Sequence, residues 1–193
     1  MNRAALFQAI RAFAPEGRFT ADHVKTIDGL ADSFGLGGLA TDATPAYRQI
    51  NARGLQLIKD FEGLRLTSYP DPATGGAPWT VGWGHTGPDV SPGMTITESK
   101  AAQLLFKDLK RFEVAVAKLA PVATDNQFSA MVSLAFNVGE GNLSSSTLLK
   151  MHNAGDYAGA QAQYARWNRA AGKVMAGLTR RRTAEAMLYG HSG

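Results

Sequence analysis

Apolar side chains at the start of the chain recur every three or four residues, which predicts two short amphipathic helices. Pro15 and Gly17 are expected to end the first helix, and Thr20 is expected to cap the second. The apolar positions are Leu6, Phe7, Ile10 and Phe13 in the first helix and Val24, Ile27, Ala31 and Phe34 in the second. A glycine-rich, polar stretch typical of a linker follows. We therefore place a boundary near residue 40, between an N-terminal helical segment (residues 1–40) and a main domain (residues 41–193).

The main domain begins with a helical pattern over residues 45–61 and then changes character. Thr, Tyr, Val and Trp residues between positions 64 and 86 predict a β-hairpin around the turn-forming residues 71–76. Helical patterns resume afterwards, and two predicted capping boxes, at residues 95–98 and 124–127, mark where helices begin. We expect an α+β fold in which a small hairpin lobe lies beside a larger helical lobe.

The composition excludes several classes of site. The chain has 193 residues, of which 45% are apolar, and it contains no cysteine, so disulfides, thiolate zinc sites and a cysteine nucleophile are excluded. Its net charge of +4 comes from residues 140–193, which carry seven basic and three acidic side chains. This excess favours an anionic partner such as nucleic acid, a membrane or a cell-wall polymer. Alternatively, Arg180, Arg181 and Arg182 form a solvated helix face with internal ion pairs.

The sequence shows no convincing membrane segment. The apolar stretch at residues 4–10 is short and is interrupted by Gln8. A membrane-spanning helix needs about 18 or more consecutive apolar residues. We therefore expect a soluble protein without a signal peptide and without stable membrane insertion.

Two carboxylates flank the first half of the predicted hairpin. Glu62 ends an apolar helix, where packed neighbours disfavour a charged carboxyl group. Asp71 lies in a polar turn, where a carboxylate stays ionised. Two carboxyl groups in unlike environments across a cleft are the groups that hydrolyse glycosidic bonds. The alternative is a helix-ending glutamate and a turn-forming aspartate without a catalytic role.

The second half of the hairpin is predicted to have one bulky face and one bare face. Because side chains alternate along a strand, a continuous strand over residues 79–85 places both tryptophans, Val81 and His85 on one side. The other side carries Thr80 and two glycines, which leaves room for a ligand. There the Thr80 hydroxyl could hold a water between the carboxylates. The alternative is a loosely packed edge hairpin.

At these residues the sequence resembles the phage-type lysozymes, and the matching motifs follow in the family's order between about residues 46 and 190. They include Ile58-Lys59-Asp60-Phe61-Glu62-Gly63, Tyr69-Pro70-Asp71-Pro72, Trp79-Thr80-Val81-Gly82-Trp83-Gly84-His85-Thr86, Phe136-Asn137-Val138-Gly139 and Arg181-Arg182 with Glu185. The resemblance implies a lysozyme-like fold with a cleft between its lobes. It also implies that Glu62 donates a proton to the glycosidic oxygen, while Asp71 and Thr80 position the attacking water or stabilise the cationic sugar.

The spacing between Asp71 and Thr80 departs from the family pattern, because Thr80 comes nine positions after Asp71 here and the interval is shorter in the family. We interpret the extra residues as an insertion in the hairpin turn that leaves Thr80 in place. If the register slipped instead, Thr74 would be the nearest replacement hydroxyl, although it stands close to the turn.

Two further polar residues are candidates for roles beside the catalytic set. The resemblance implies that His85 is structural and pairs with a carboxylate of the helical lobe, for which Asp108 is the candidate. Asn137 is either a sugar-binding amide or a helix-capping amide. The histidine spacings match no metal-binding motif, so no metal or cofactor is expected.

The resemblance implies a muramidase that cleaves the β-1,4 bond between N-acetylmuramic acid and N-acetylglucosamine in bacterial peptidoglycan. We expect inversion at the anomeric carbon, because the Thr80 hydroxyl suits the orientation of a water. The expected setting is an endolysin that accumulates in the host cytoplasm and reaches the wall at lysis, as a monomer that binds no nucleic acid. The alternatives are a lytic transglycosylase acting on the same bond and a non-catalytic peptidoglycan-binding protein. The presence of Asp71 and Thr80 favours hydrolysis.

Overall fold

The structure is a computed structural model of the chain that describes residues 47–70 and 74–191. In it, Arg48–Gly193 forms one compact unit. The predicted N-terminal helices, the boundary near residue 40 and Asp71 all lie outside the described residues. They stay predictions.

The described part of the chain combines seven α-helices with five short strands. The helices are α1 (Ala52–Glu62), α2 (Glu98–Leu119), α3 (Asp125–Val138), α4 (Glu140–Ser144), α5 (Thr147–Asn153), α6 (Tyr157–Gln163) and α7 (Ala176–Gly190). The strands are β1 (Arg65–Pro70), β2 (Trp79–Gly82), β3 (His85–Thr86), β4 (Arg169–Ala170) and β5 (Lys173–Val174). A 3₁₀ turn (Tyr164–Trp167) follows α6. This mixture confirms the predicted α+β class.

The first described helix is shorter than its apolar pattern predicted. The pattern indicated a helix from residue 45, but residues 47–51 are not helical and α1 begins at Ala52. The side chain of Asn51 accepts a hydrogen bond from the backbone N–H of Gly54 at 2.9 Å, which caps the helix there. Upstream, the backbone N–H of Ile50 donates to Oε1 of Glu113 at 2.8 Å. This tertiary contact holds the preceding residues outside the helix.

The small lobe is a three-stranded antiparallel sheet in the order β1-β2-β3. Pro70 pairs with Trp79, whereas the other edge of β2 pairs with β3. The continuous strand expected over residues 79–85 is wrong, because the chain turns between β2 and β3. Gly82 and Gly84 have φ angles of 69° and 88°, in the left-handed region that glycine adopts without steric cost. His85 nevertheless ends up buried, as the bulky-face prediction required.

The helical lobe is built around α3, which packs against α1, α2, α4 and α7. The capping box predicted at its start is confirmed, since Thr124 and Gln127 exchange both hydrogen bonds. The box predicted at residues 95–98 is displaced. Thr97 caps α2 instead, while Thr95 pairs with Thr67 of β1.

A second hairpin, β4-β5, was missed because its two-residue strands are too short to show an alternating pattern. Its turn residues, Ala171 and Gly172, have φ angles of 48° and 77°, as a tight hairpin turn requires. None of the helices within residues 47–70 and 74–191 combines the length and hydropathy needed to cross a bilayer.

Candidate active site

Glu62 is the last residue of α1 and lies where that helix meets the sheet. Its side chain is 23% exposed, and its Oε1 accepts a hydrogen bond from Nη1 of Arg181 at 2.6 Å. The expected apolar surroundings are therefore wrong in one respect, because a guanidinium from α7 contacts the carboxyl group. On the other side, a Cβ atom at Gly84 would lie 3.6 Å from Oε2 of Glu62. The absence of a side chain at Gly84 thus keeps space open beside Oε2.

The arginine triplet of α7 is divided between solvent and interior. Arg180 is exposed, whereas Arg181 and Arg182 are 3% and 1% exposed. The interpretation of the triplet as a solvated helix face is wrong for two of its three members. The internal ion pairs of that interpretation are present, because both buried arginines pair with Glu185. Buried and paired guanidiniums add little to a surface that would attract an anionic partner.

Glu185 is completely buried beneath these arginines. Its Oε1 accepts hydrogen bonds from Oγ of Ser133 at 2.7 Å and from Nε of Arg181 at 3.2 Å. Burial raises the pKa of Glu185, and the guanidiniums of Arg182 and Arg181 and the Ser133 hydroxyl oppose that rise. Burial likewise lowers the pKa of Arg182. The charged residues connected to Glu62 through Arg181 therefore extend into the interior of the helical lobe.

Asn137 lies near the end of α3 and is exposed. Its Oδ1 accepts a hydrogen bond from Nη2 of Arg182 at 3.0 Å. Gly139 caps the C-terminal end of the helix, since its backbone N–H donates to the carbonyl of Ala135, so the Asn137 side chain is not the cap. Because Arg182 occupies the amide oxygen, the NH₂ group of Asn137 is the part directed to other acceptors.

Thr80 lies within the sheet of the small lobe. Thr80 is in the middle strand, paired with Tyr69 on one side and Thr86 on the other. The longer connection between β1 and β2 therefore leaves it within the sheet. Thr74, the alternative hydroxyl, donates to the carbonyl of Ala77 at 3.0 Å and belongs to the turn.

His85 has the partner that the sequence predicted. Its Nδ1 lies 2.8 Å from Oδ2 of Asp108 on α2, and the side chain of His85 is 5% exposed. Its Nε2 lies 3.2 Å from Oδ1 of Asp89, and this hydrogen bond lowers the pKa of Asp89. The ring thus connects the sheet to the helical lobe, which confirms the predicted pairing with Asp108.

The sequence reasoning did not find the pairing of Glu62 with Arg181, nor the roles of Glu185 and Ser133. The spacing of Arg181 and Glu185, four residues apart on one helix, was an available signal for an ion pair. Nothing local indicated that Glu62, 119 residues away, completes it. Within the described ranges, no three His, Asp or Glu side chains converge into a set that could hold a metal ion.

Comparisons with known proteins agree on one family. The family model for phage lysozyme matches residues 59–185. The chain is 45% identical over 141 residues to the endolysin of Bacillus phage B103, covering 72% of this chain and 53% of that protein. It is 38% identical over 144 residues to the endolysin of Salmonella phage P22, covering 72% of this chain and 97% of that protein. Both matches are to proteins named endolysin.

A solved structure shows the same arrangement of elements. The muramidase domain of SpmX from Asticaccaulis excentricus superposes with a TM-score of 0.69 at 34% identity, covering 75% of this chain and 99% of that one. The likeness confirms the lysozyme-like fold. By contrast, the chain spans only about half the length of the B103 relative.

Proposed function

Because the chain belongs to the phage lysozyme family, we propose that it is a muramidase that hydrolyses the β-1,4 bond between N-acetylmuramic acid and N-acetylglucosamine in bacterial peptidoglycan. The observation that carries the proposal is the environment of Glu62. One of its oxygens is held by Arg181, and the other faces the space left by Gly84. A carboxyl group held in this way suits the exchange of a proton with a bound ligand.

In the proposed reaction, protonated Glu62 gives its proton to the glycosidic oxygen as the bond from that oxygen to the anomeric carbon breaks. Asp71 removes a proton from a water whose oxygen forms the new bond to that carbon, and the Thr80 hydroxyl orients this water. The roles of Asp71 and Thr80 rest on the sequence and the resemblance. Attack from the face opposite the leaving group inverts the anomeric configuration.

Arg181 contributes to the proton transfer through charge. As Glu62 loses its proton, its carboxyl group becomes negative, and Nη1 of Arg181 is already in place 2.6 Å away. Preorganised donors of this kind stabilise charge that develops during a reaction. The pairing therefore supports Glu62 as the group that releases a proton during catalysis.

Asn137 is proposed to bind sugar through its side-chain NH₂ group. Since Arg182 donates to the amide oxygen, the amide orientation is set and its N–H donors remain for an acceptor such as an N-acetyl carbonyl. Peptidoglycan is the proposed partner, and the proposed reaction uses no cofactor. We further propose an endolysin that acts as a monomer, without binding nucleic acid, and that accumulates in the host cytoplasm before reaching the wall.

The decisive variant is Glu62→Gln, which keeps the side-chain shape and an acceptor for Arg181 but cannot supply the proton. General acid catalysis contributes about 10²–10⁴-fold, so release of fragments from purified peptidoglycan should fall by at least about 100-fold in a variant that still folds and unfolds cooperatively. The matched control is Asp60→Asn in the same helix, where the exposed carboxylate accepts a hydrogen bond from Gln56. It should retain wild-type activity.

The products identify the reaction class in the same assay. Mass spectrometry should show hydrolysed muramic acid ends, and proton NMR should show the α-anomer before mutarotation. Anhydro-muramic ends would instead assign a lytic transglycosylase. An initial β-anomer would contradict the role of Asp71 as the water-activating base. A Glu62→Gln variant with half of the wild-type activity would remove Glu62 from the mechanism.

A further inference from the structure

Four charged side chains form one connected cluster that begins at Glu62 and ends below the surface at Glu185. Arg181 bridges the two carboxylates, through Nη1 to Glu62 at 2.6 Å and through Nε to Glu185 at 3.2 Å. Arg182 contacts Glu185 through Nη2, at 3.2 Å from Oε1, and through Nε, at 3.0 Å from Oε2. Oγ of Ser133 donates to Oε1 of Glu185 at 2.7 Å.

The formal charges of this cluster balance, with two guanidiniums against two carboxylates. The two arginines and Glu185 have side chains that are 4%, 1% and 0% exposed, whereas Glu62 is 23% exposed. Water therefore compensates little of the positive charge. Within the cluster Glu185 is the buried carboxylate, so it neutralises charge that would otherwise act on Glu62 alone.

We propose that Glu185 is a positioning residue that, as the buried counter-charge of Arg181 and Arg182, determines how tightly Glu62 holds its proton. This inference rests on the proposed role of Glu62 as the proton donor. A proton donor must be protonated at the start of each cycle. Without Glu185, the positive charge of Arg181 and Arg182 would favour the carboxylate form of Glu62. The pH range in which Glu62 carries the proton that it donates would then be narrower.

The geometry also separates this role from simple packing. Arg181 uses different nitrogens for the two carboxylates, so Glu185 both directs its guanidinium and shares its charge. Tyr164, from the 3₁₀ turn, also acts on this cluster through its proximity to Glu185 and Arg182. Burial raises the pKa of its hydroxyl, which is therefore neutral at working pH. Ser133 from α3 adds a hydrogen bond but no charge.

The test is the pH profile of Glu185→Gln, measured as kcat/KM on purified peptidoglycan. The amide keeps the side-chain shape and one acceptor oxygen for Ser133 and Arg181, but it removes the negative charge and replaces the oxygen beside Nε of Arg182 with an NH₂ donor. At an effective dielectric constant of about 20, a unit charge on one side of a guanidinium changes the pKa of a carboxyl group on the other side by about 1 unit or more. The alkaline limb of the profile should therefore move down by about 1 pH unit.

Arg182→Met is expected to move the alkaline limb in the opposite direction. It also keeps the proposal testable if Glu185→Gln fails to fold. Removing one positive charge should move the alkaline limb upward. Combining Arg182→Met with Glu185→Gln restores the charge balance and should return the limb to within a few tenths of a unit of wild type. Ser133→Ala, which removes the hydrogen bond but no charge, and the exposed control Glu98→Gln should leave the limb in place.

A direct titration separates this inference from the proposed function. The side-chain carboxyl carbon of Glu62 is followed by NMR in protein labelled with ¹³C-glutamate and is identified by its absence in Glu62→Gln. A matching downward shift of its midpoint in Glu185→Gln supports the inference whether or not Glu62 is the catalytic acid. An unmoved midpoint and limb in folded Glu185→Gln, or equal effects of Ser133→Ala and Glu185→Gln, would overturn it. An active Glu62→Gln variant would overturn the proposed function alone.

Discussion

His152 should make the folded protein less stable as the pH falls below neutrality. The ring is completely buried, and its Nδ1 lies 2.6 Å from the hydroxyl of Tyr189. Among the residues that the structure describes, its Nε2 has no hydrogen-bond partner. The rings of Tyr157 and Tyr189 lie 5.3 and 5.8 Å away, centroid to centroid. Burial therefore lowers the pKa of His152.

The sign and the limit of the effect follow from proton linkage. In the unfolded chain a histidine titrates near pH 6.5, whereas in the folded protein His152 takes up its proton only at lower pH. Between these two values the unfolded state binds more protons, so the free energy of unfolding falls as the pH falls. One proton changes the free energy of unfolding by at most about 1.4 kcal/mol per pH unit. The loss between pH 6.5 and 5.5 is therefore at most about 1.4 kcal/mol.

Urea unfolding of wild type, His152→Phe and His152→Asn at pH 7.5, 6.5 and 5.5 measures this contribution. His152→Phe keeps a ring between the two tyrosines, and His152→Asn keeps a polar group towards Tyr189, but neither titrates. Each substitution also carries a pH-independent cost from the contacts that it removes, which offsets the whole stability curve of the variant without changing its slope. Relative to wild type, both should lose less stability between pH 7.5 and 5.5. Parallel curves for all three proteins would refute the reasoning, because His152 would then titrate alike in both states.

Two further predictions concern the lobe junction and the domain boundary. Asp108→Asn replaces a carboxylate that contacts a buried histidine and should lower the free energy of unfolding by about 1–3 kcal/mol in urea, with a smaller loss for the half-exposed Asp89→Asn. Equal losses of stability in the two variants would contradict the larger contribution expected of the contact between His85 and Asp108. Deleting residues 1–40 should leave a chain that unfolds cooperatively in calorimetry and retains activity on purified peptidoglycan, since Arg48–Gly193 is one compact unit. Aggregation of the shortened chain would show that the apolar residues of the deleted segment help to cover the core of the main domain.

Local sequence patterns determined much of the fold. The box of Thr124 and Gln127 starts α3 because both hydrogen bonds join residues three apart, so the signal is complete within one helical turn. Glu62 became a candidate because it ends an apolar helix, and the resemblance to phage-type lysozymes implied its role as proton donor. Where a neighbouring element intervenes, local patterns failed. The helix predicted from residue 45 begins at Ala52, because Ile50 bonds to a glutamate of α2.

The surroundings of Glu62 depended on tertiary structure alone. From the sequence, Arg181 could lie on a solvated helix face or in the interior. The pattern of residues along its own helix does not decide between these positions. Local spacing indicates the period of a helix but not which element packs against it. Packing of α7 against α1 and α3 brings Arg181 to Glu62 across 119 residues, and Glu185 to Ser133 across 52. Charge compensation between segments so distant in sequence is a property of the folded arrangement. The sequence therefore determined which residue carries the proposed chemistry, and the tertiary structure decided which charges control it.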